Sequence, residues 1–193
     1  MAYLTENQLA KVGFASIGKN VLISDKTSIY HPERISIGDR VRIDDFCIIT
    51  GSVSLGNNIY ISVYSYIFGG SNGVVMEDFS GLAYGVRVFT DSDDYSGASL
   101  TNPTIPERYK PRKTSKSILI KRHAIVGTSA VIMPGVTLGE GCAVGAMSMV
   151  TRSTEPWSIC SGVPARRLKG RKKDLLELEK AYLESIAIGQ NGK

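Results

Sequence analysis

Large aliphatic side chains return at every sixth residue through most of this chain, and few folds can use such a spacing. One run is Ile17, Ile23, Ile29. After a two-residue slip it resumes as Ile37, Ile43, Ile49, Leu55, Ile61, Ile67, then as Met76, Leu82, Val88, and finally as Ile120, Val126, Ile132, Leu138, Val144, Val150. Four places after most of these stands a small or β-branched residue: Val21, Thr27, Val41, Cys47, Val53, Ile59, Ser65, and later Ala124, Ala130, Val136, Cys142, Ser148. Gly often follows the large residue directly, as at Gly18, Gly38, Gly56, Gly127, Gly139 and Gly145. A period of six is neither the helical repeat nor the alternation of an ordinary strand. It fits short straight segments joined by tight corners, three to a triangular coil. Stacked coils then lie ~4.8 Å apart, the usual spacing of hydrogen-bonded strands. The large residues point inward, and the small ones leave them room. No single coil can bury its own interior, so only the stack is stable.

The rest of the sequence fits a soluble protein of one main domain. Its 193 residues can bury a core without staples. No apolar run approaches the roughly 18 residues of a membrane span. The start, Met1-Ala2-Tyr3-Leu4-Thr5-Glu6, lacks the basic and apolar regions of a secretion signal, so the expected location is the cytoplasm without stable membrane insertion. Cys47, Cys142 and Cys160 are odd in number and widely spaced, which predicts buried thiols and neither disulfides nor a metal knuckle. The net charge of +5 is unevenly spread. Residues 105–122 and 151–173 carry 14 Lys and Arg against Glu107 and Glu155, a net of +12, which leaves −7 for the remainder. Two local basic clusters point to phosphate groups of a small molecule. No nucleic-acid motif accompanies them.

Residues 91–117 interrupt the repeat with a polar stretch holding Pro103, Pro106 and Pro111. A loop this long inside a regular domain is either functional or disordered. Before the coils, Thr5-Glu6-Asn7-Gln8 has the form of a capping box, which predicts a short helix over 5–11 stopped near Gly13. After them, 172–188 reads as a helix with Leu175, Leu178, Tyr182 and Ile186 on one face, expected to pack against the base of the coils. The expected organisation is a helical cap over 1–14, a coil domain over 15–165 and a basic segment with a helix over 166–193.

The pattern resembles the hexapeptide-repeat acyltransferases, and the likeness covers roughly residues 15–165. It implies an all-β solenoid, the left-handed parallel β-helix, with a projecting loop and a homotrimeric assembly. It also implies an acyl-CoA donor, acetyl-CoA being the expected co-substrate, and no metal. The segment 155–165, ending Gly162-Val163-Pro164-Ala165, closely resembles the family's closing motif, in which Pro164 would pass the adenine. CoA needs a groove for its pantetheine arm and positive charge for its phosphates. Gly127, Ser129, Gly145, Ala146 and Ser148 are small enough to let an arm approach the backbone. Arg166 and Arg167, with Lys169, Arg171 and Lys172 beyond, would meet the phosphates, since a guanidinium can donate two bonds at once.

Many sugar O-acetyltransferases of this family carry a catalytic His just after the coil that ends here at Val88-Phe89-Thr90. This chain reads Asp91-Ser92-Asp93-Asp94 there. Its two histidines, His31 and His123, are read as corner or surface residues, and they cannot supply the three-His metal site of trimeric β-helix carbonic anhydrases. The stretch 92–97 with Thr101-Asn102-Pro103 resembles the subgroup that N-acylates nucleotide-linked amino sugars for surface polysaccharides. A hydroxyl nucleophile needs a base of near-neutral pKa, whereas a neutral amine needs only positioning and later loss of a proton. Asp94, with Asp93 second, is the expected proton acceptor, its pKa raised by the paired charge. Tyr84, Asn102, Tyr109 and Lys110 are the expected sugar-binding residues, with Ala83 beside them. A direct N-acetyl transfer is therefore the leading expectation. The alternatives are O-acetylation of a sugar hydroxyl and a non-catalytic scaffold.

Overall fold

The computed structural model describes residues 2–191 and forms a three-faced prism of stacked coils. The first face holds Ser16–Ile17, Ile35–Ile37, Val53–Leu55, Val74–Met76, Ile118–Ile120 and Thr137–Leu138. The second holds Leu22–Ile23, Arg42–Ile43, Tyr60–Ile61, Gly81–Leu82, Ile125–Val126 and Ala143–Val144, then Ser158–Gly162 and Ala165–Gly170. The third holds Ser28–Tyr30, Ile48–Thr50, Tyr66–Phe68, Arg87–Phe89, Val131–Ile132 and Met149–Val150. Apart from the last pair of the second face, neighbouring strands within the three faces are parallel and in register, so that Ile43 pairs with Ile61, Ile61 with Leu82 and Val126 with Val144. This is the architecture of the left-handed parallel β-helix.

The six-residue ladder is the core. Ile23, Ile43, Ile49, Ile61, Ile67, Ile120, Ile132 and Leu138 are all fully buried. Each such side chain contributes roughly 1.5–3 kcal/mol on leaving water. In the first coil only Ile23 is fully buried: Ile17 is exposed and Ile29 partly buried, because no coil lies beneath them. Helix α1, Glu6–Val12, sits over that end with Leu9 buried. Its start is the capping box read from the sequence: Thr5 Oγ1 accepts from the Gln8 amide at 3.3 Å, and Gln8 Oε1 accepts from the Thr5 amide at 2.8 Å. Gly13 ends it at φ 84°.

The structure adds detail to two expectations and corrects a third. The loop over 91–117 holds some regular structure. Asp91–Ser92 pairs antiparallel with Thr114–Ser115 at the root of the loop, and Glu107–Tyr109 is a 3-10 turn. The basic stretch after 165 does not leave the solenoid. Ala165–Gly170 folds back as an antiparallel strand on Ser158–Gly162, with Gly162-Val163-Pro164-Ala165 at the bend. Helix α2, Leu175–Asn191, begins later than the expected 172 and does not cap the base. That end is taken by the hairpin, so α2 runs back along the corner between the first and second faces. There Tyr182 meets Phe79 edge-on at 6.1 Å, and its hydroxyl donates to Asn58 Oδ1 at 3.0 Å. Glu179 accepts from Arg122 and lies 2.8 Å from His123 Nε2. Leu178 stays exposed. Among the described residues no helix is long and apolar enough to cross a membrane.

Candidate active site

The corner between the second and third faces gathers most of the residues expected to meet acyl-CoA. Its turns are 83–86, 127–130, 145–148 and 161–164, one above the other. The Ser129 amide donates to the Tyr84 carbonyl at 2.7 Å, and the Met147 amide to the Thr128 carbonyl at 2.7 Å. Tyr84, Ser129, Ala146 and Pro164 therefore follow one edge toward the closing hairpin. Tyr84 and Ala146 are exposed, and Ser129 is half-buried. Between Tyr84 and Met147 such an edge presents small side chains, which suits an extended amide-bearing arm.

Three of the expected contact residues have another explanation. A Cβ on Gly127 would lie 2.6 Å from the Ala146 amide nitrogen, and one on Gly145 would lie 2.6 Å from Ser161 Oγ. Coil stacking itself requires these glycines. Ser148 is buried, with its hydroxyl 3.3 Å from Ser161 Oγ and accepting from the Gly162 amide at 3.1 Å. It anchors the hairpin.

On that hairpin Arg166 and Arg167 differ. Arg167 Nε is 3.1 Å from Glu155 Oε2. Among the described residues the Arg166 side chain bonds its neighbour's carbonyl, Ala165 O, at 3.0 Å and no acidic group. Lys169 and Lys172 are exposed. Arg171 turns inward, donating to the carbonyls of His123 and Gly141 at 2.8 and 3.0 Å. It serves the fold.

The other expected residues lie in the loop at the corner between the third and first faces. Asp94 Oδ1 accepts from the Ser96 hydroxyl at 2.7 Å and from the Ser96 amide at 2.9 Å. Those two bonds hold its pKa below the ordinary carboxylate value, against the expected rise. Asp94 Oδ2 is shut from solvent and has no hydrogen-bond partner among the described residues. Asp93 Oδ2 accepts from the Asn102 amide at 3.2 Å. Lys110, expected to meet the sugar, is buried instead. Its ammonium donates to the Asn102 carbonyl at 3.1 Å and pairs with Glu107 at 2.8 Å. Asn102 Oδ1 is taken by Thr104, whose amide donates at 3.0 Å. Tyr109 remains exposed under Arg108, whose guanidinium lies 4.8 Å from the ring centre.

Within one chain these two groups stand at opposite borders of the third face. Strand Arg87–Phe89 separates the Tyr84 turn from the loop root. Both histidines are elsewhere. His31 is at the loop's corner in the first coil, paired with Glu33 at 3.5 Å in an exposed position. His123 is buried under α2, stacked on Phe79 at 5.3 Å, and burial followed by the Arg122 charge lowers its pKa. Among the described residues no group of three His, Cys, Asp or Glu is placed to hold a metal ion. Burial pushes the Cys47 thiol up to about 11 and raises that of Cys142, so neither is a nucleophile.

Sequence reasoning missed the outer side of the third face. Tyr30, Ile48, Tyr66, Phe68, Phe89, Val131 and Met149 project from it, with Tyr66 and Phe89 in edge contact at 5.5 Å. The signal was present as apolar residues one place either side of the ladder. It also missed Phe46 and Tyr64, exposed and stacked at 5.1 Å on the same corner as Tyr84.

A scan against protein-family models finds no match. The chain is 41% identical over 194 residues to dTDP-4-amino-4,6-dideoxy-D-glucose acyltransferase of Escherichia coli, covering 99% of this chain and 100% of that protein. AntD, an N-acyltransferase from Bacillus cereus solved with dTDP and 3-hydroxybutyryl-CoA, superposes with a TM-score of 0.94 at 46% identity, covering 96% of this chain and 98% of that one. A cysteine-for-serine form of AntD, solved with dTDP-4-amino-4,6-dideoxyglucose and coenzyme A, gives 0.93 at 46% over 95% and 97% of the two chains. The hexapeptide-repeat acetyltransferase VCA0836 of Vibrio cholerae, 20% identical with a TM-score of 0.54, shares the fold. Full-length identity of this order, on a coil edge suited to acyl-CoA, places the chain in the family of hexapeptide-repeat acyltransferases that act on nucleotide-linked amino sugars.

Proposed function

We propose that the protein transfers an acyl group from acyl-CoA to the amine of a dTDP-linked 4-amino-4,6-dideoxy sugar, without a covalent enzyme intermediate. The observation that carries this reading is the end-to-end identity with an enzyme named for that substrate. The site residues agree with it. Acyl-CoA supplies the activated thioester. Ala146, Ser129 and the backbone beside them line its arm, Pro164 passes the adenine, and Arg166 with Lys172 meets the phosphates. Gly127, Gly145 and Ser148 shape that edge from behind. Arg167 is partly neutralised by Glu155 and contributes less.

The absence of a histidine at either set favours an amine over a hydroxyl nucleophile. An amine attacks without prior help and gives up its proton afterwards. Asp94 is a weak base, and its Oδ2, unpartnered among the described residues but shut from solvent, can accept a hydrogen bond from the substrate nitrogen only where the loop turns that oxygen outward. Asp93, Asn102 and Tyr109 form the loop around it, and Lys110 locks that loop. The acetyl group is the expected acyl, and longer chains are the variant to test.

We further propose a homotrimer. The apolar outer side of the third face lies between the Tyr84 edge and the loop. A second copy covering it sets the loop of one subunit beside the edge of the next and completes the pocket. Both substrates are cytoplasmic metabolites, which supports a cytoplasmic location.

The test offers the enzyme acyl-CoA with dTDP-4-amino-4,6-dideoxyglucose and with its 4-hydroxy counterpart, and follows thiol release. Release with the amine alone is expected. Release with the hydroxyl sugar alone would make the protein an O-acyltransferase.

A further inference from the structure

The third residue of each turn along the Tyr84 corner falls in one column: Phe46, Tyr64, Gly85, Ser129, Met147. Backbone bonds fix that register, with the amides of Tyr64, Gly85, Ser129 and Met147 donating to Asp45, Val63, Tyr84 and Thr128 at 3.1, 2.9, 2.7 and 2.7 Å. All five residues have left-handed backbone, φ 59°, 60°, 65°, 58° and 55°. Glycine and asparagine adopt that conformation readily, while a bulky aromatic residue does so at a cost. The corner beneath α2 also carries left-handed aromatics, but there Phe79 is covered by His123 and Tyr182, and Trp157 by Lys173. On the Tyr84 corner, among the described residues, Lys26 covers Phe46 from below and no aromatic or cationic side chain covers Tyr64 from above. Phe46 is held between the Lys26 ammonium, 5.5 Å from its ring centre, and the ring of Tyr64. The upper face of Tyr64 is bare, and the residue is 63% exposed. Above it stands Gly85, where an added Cβ would meet only Ser129 Oγ, at 3.4 Å. The next large side chain is Met147, three coils up, or about 14 Å at the strand spacing.

We infer that the Tyr64 ring is the platform for the apolar face of the substrate's 6-deoxy pyranose, a reading that rests on the proposed transfer reaction. The arm of acyl-CoA, following the same edge down from the hairpin, delivers its thioester at the gap over Gly85 and Ser129. The group that must lie there is the amine-bearing sugar ring. A 6-deoxy ring offers C–H groups and a methyl to an aromatic face, and a 6-hydroxyl would have to leave water at that surface. Lys26 and Phe46 fix the platform from below, and Tyr84 borders it.

The deciding variant is Tyr64→Asn, since asparagine suits φ 60°. A structural role for Tyr64 predicts a lower melting temperature. The platform predicts an equal or higher one, together with unchanged assembly mass. It also predicts at least a tenfold weaker affinity for dTDP-4-amino-4,6-dideoxyglucose by calorimetry, an acyl-CoA KM within twofold, and reduced preference for the 6-deoxy over the 6-hydroxy sugar. Tyr64→Phe should match the unaltered enzyme. Unchanged sugar affinity, a shift confined to acyl-CoA or its chain length, or a fall in assembly mass would each overturn the platform. An unaltered enzyme that binds the sugar nucleotide without turnover removes the transfer reading alone, and one that binds none removes both.

Discussion

Asp94 has the chemistry of a proton acceptor, yet its own loop has taken up half of that capacity. Ser96 gives Oδ1 two hydrogen bonds and keeps the carboxyl ionised. A low pKa makes a poor base, because the acceptor then gains little by taking a proton. Asp94→Asn keeps an oxygen for Ser96 and should lower kcat less than tenfold, with no change in the acid limb of the pH–rate profile. Loss of a true general base would cost about 10²-fold or more, which steady-state kinetics would reveal at once. The sequence told which residues carry polar chemistry here, but not where it was spent. Lys110 reads as a free cation and is in fact the internal brace of the loop. Ser148 reads as an open edge residue and is the anchor of a bend fourteen residues away. Such pairings are made by the fold and leave no local spacing behind.

Among the elements, the coils were legible because inward and outward places repeat along the chain with a fixed period. Short-range signals were legible too, as the capping box of α1 shows. Elements whose partners lie far away were not. Residues 165–170 carry no alternation that announces a returning strand, and the apolar stripe of α2 does not say which surface it meets. The hairpin gives its two arginines separate fates. Arg166 is free to reach a phosphate, while Arg167 faces Glu155. Arg166→Ala should therefore weaken CoA binding by about tenfold, the scale of one charge-assisted hydrogen bond. It should affect dephospho-CoA less, and isothermal titration of both ligands would show the difference. Equal losses would remove Arg166 from the 3′-phosphate.

At the scale of the whole molecule, the proposed site is split between two borders of one face, and that face carries an apolar outer row, Tyr30, Ile48, Tyr66, Phe68, Phe89, Val131 and Met149. A patch of aromatic and aliphatic side chains on a regular sheet marks a surface that another protein covers. Phe89→Asp should break the assembly, lowering the mass seen by light scattering to that of one chain and abolishing transfer. CoA binding at the hairpin should survive in part, since it depends less on the neighbour. A variant that keeps the mass of the unaltered assembly would place the contact elsewhere. The stack has another property, seen at its two ends. Every coil offers its neighbours a full set of strand edges, and nothing in the repeat itself says when to stop. Leu9 of α1 occupies one terminus, and the reversed strand Ala165–Gly170 turns the other away. These two stoppers keep a rod that is geometrically able to polymerise head to tail from becoming a filament.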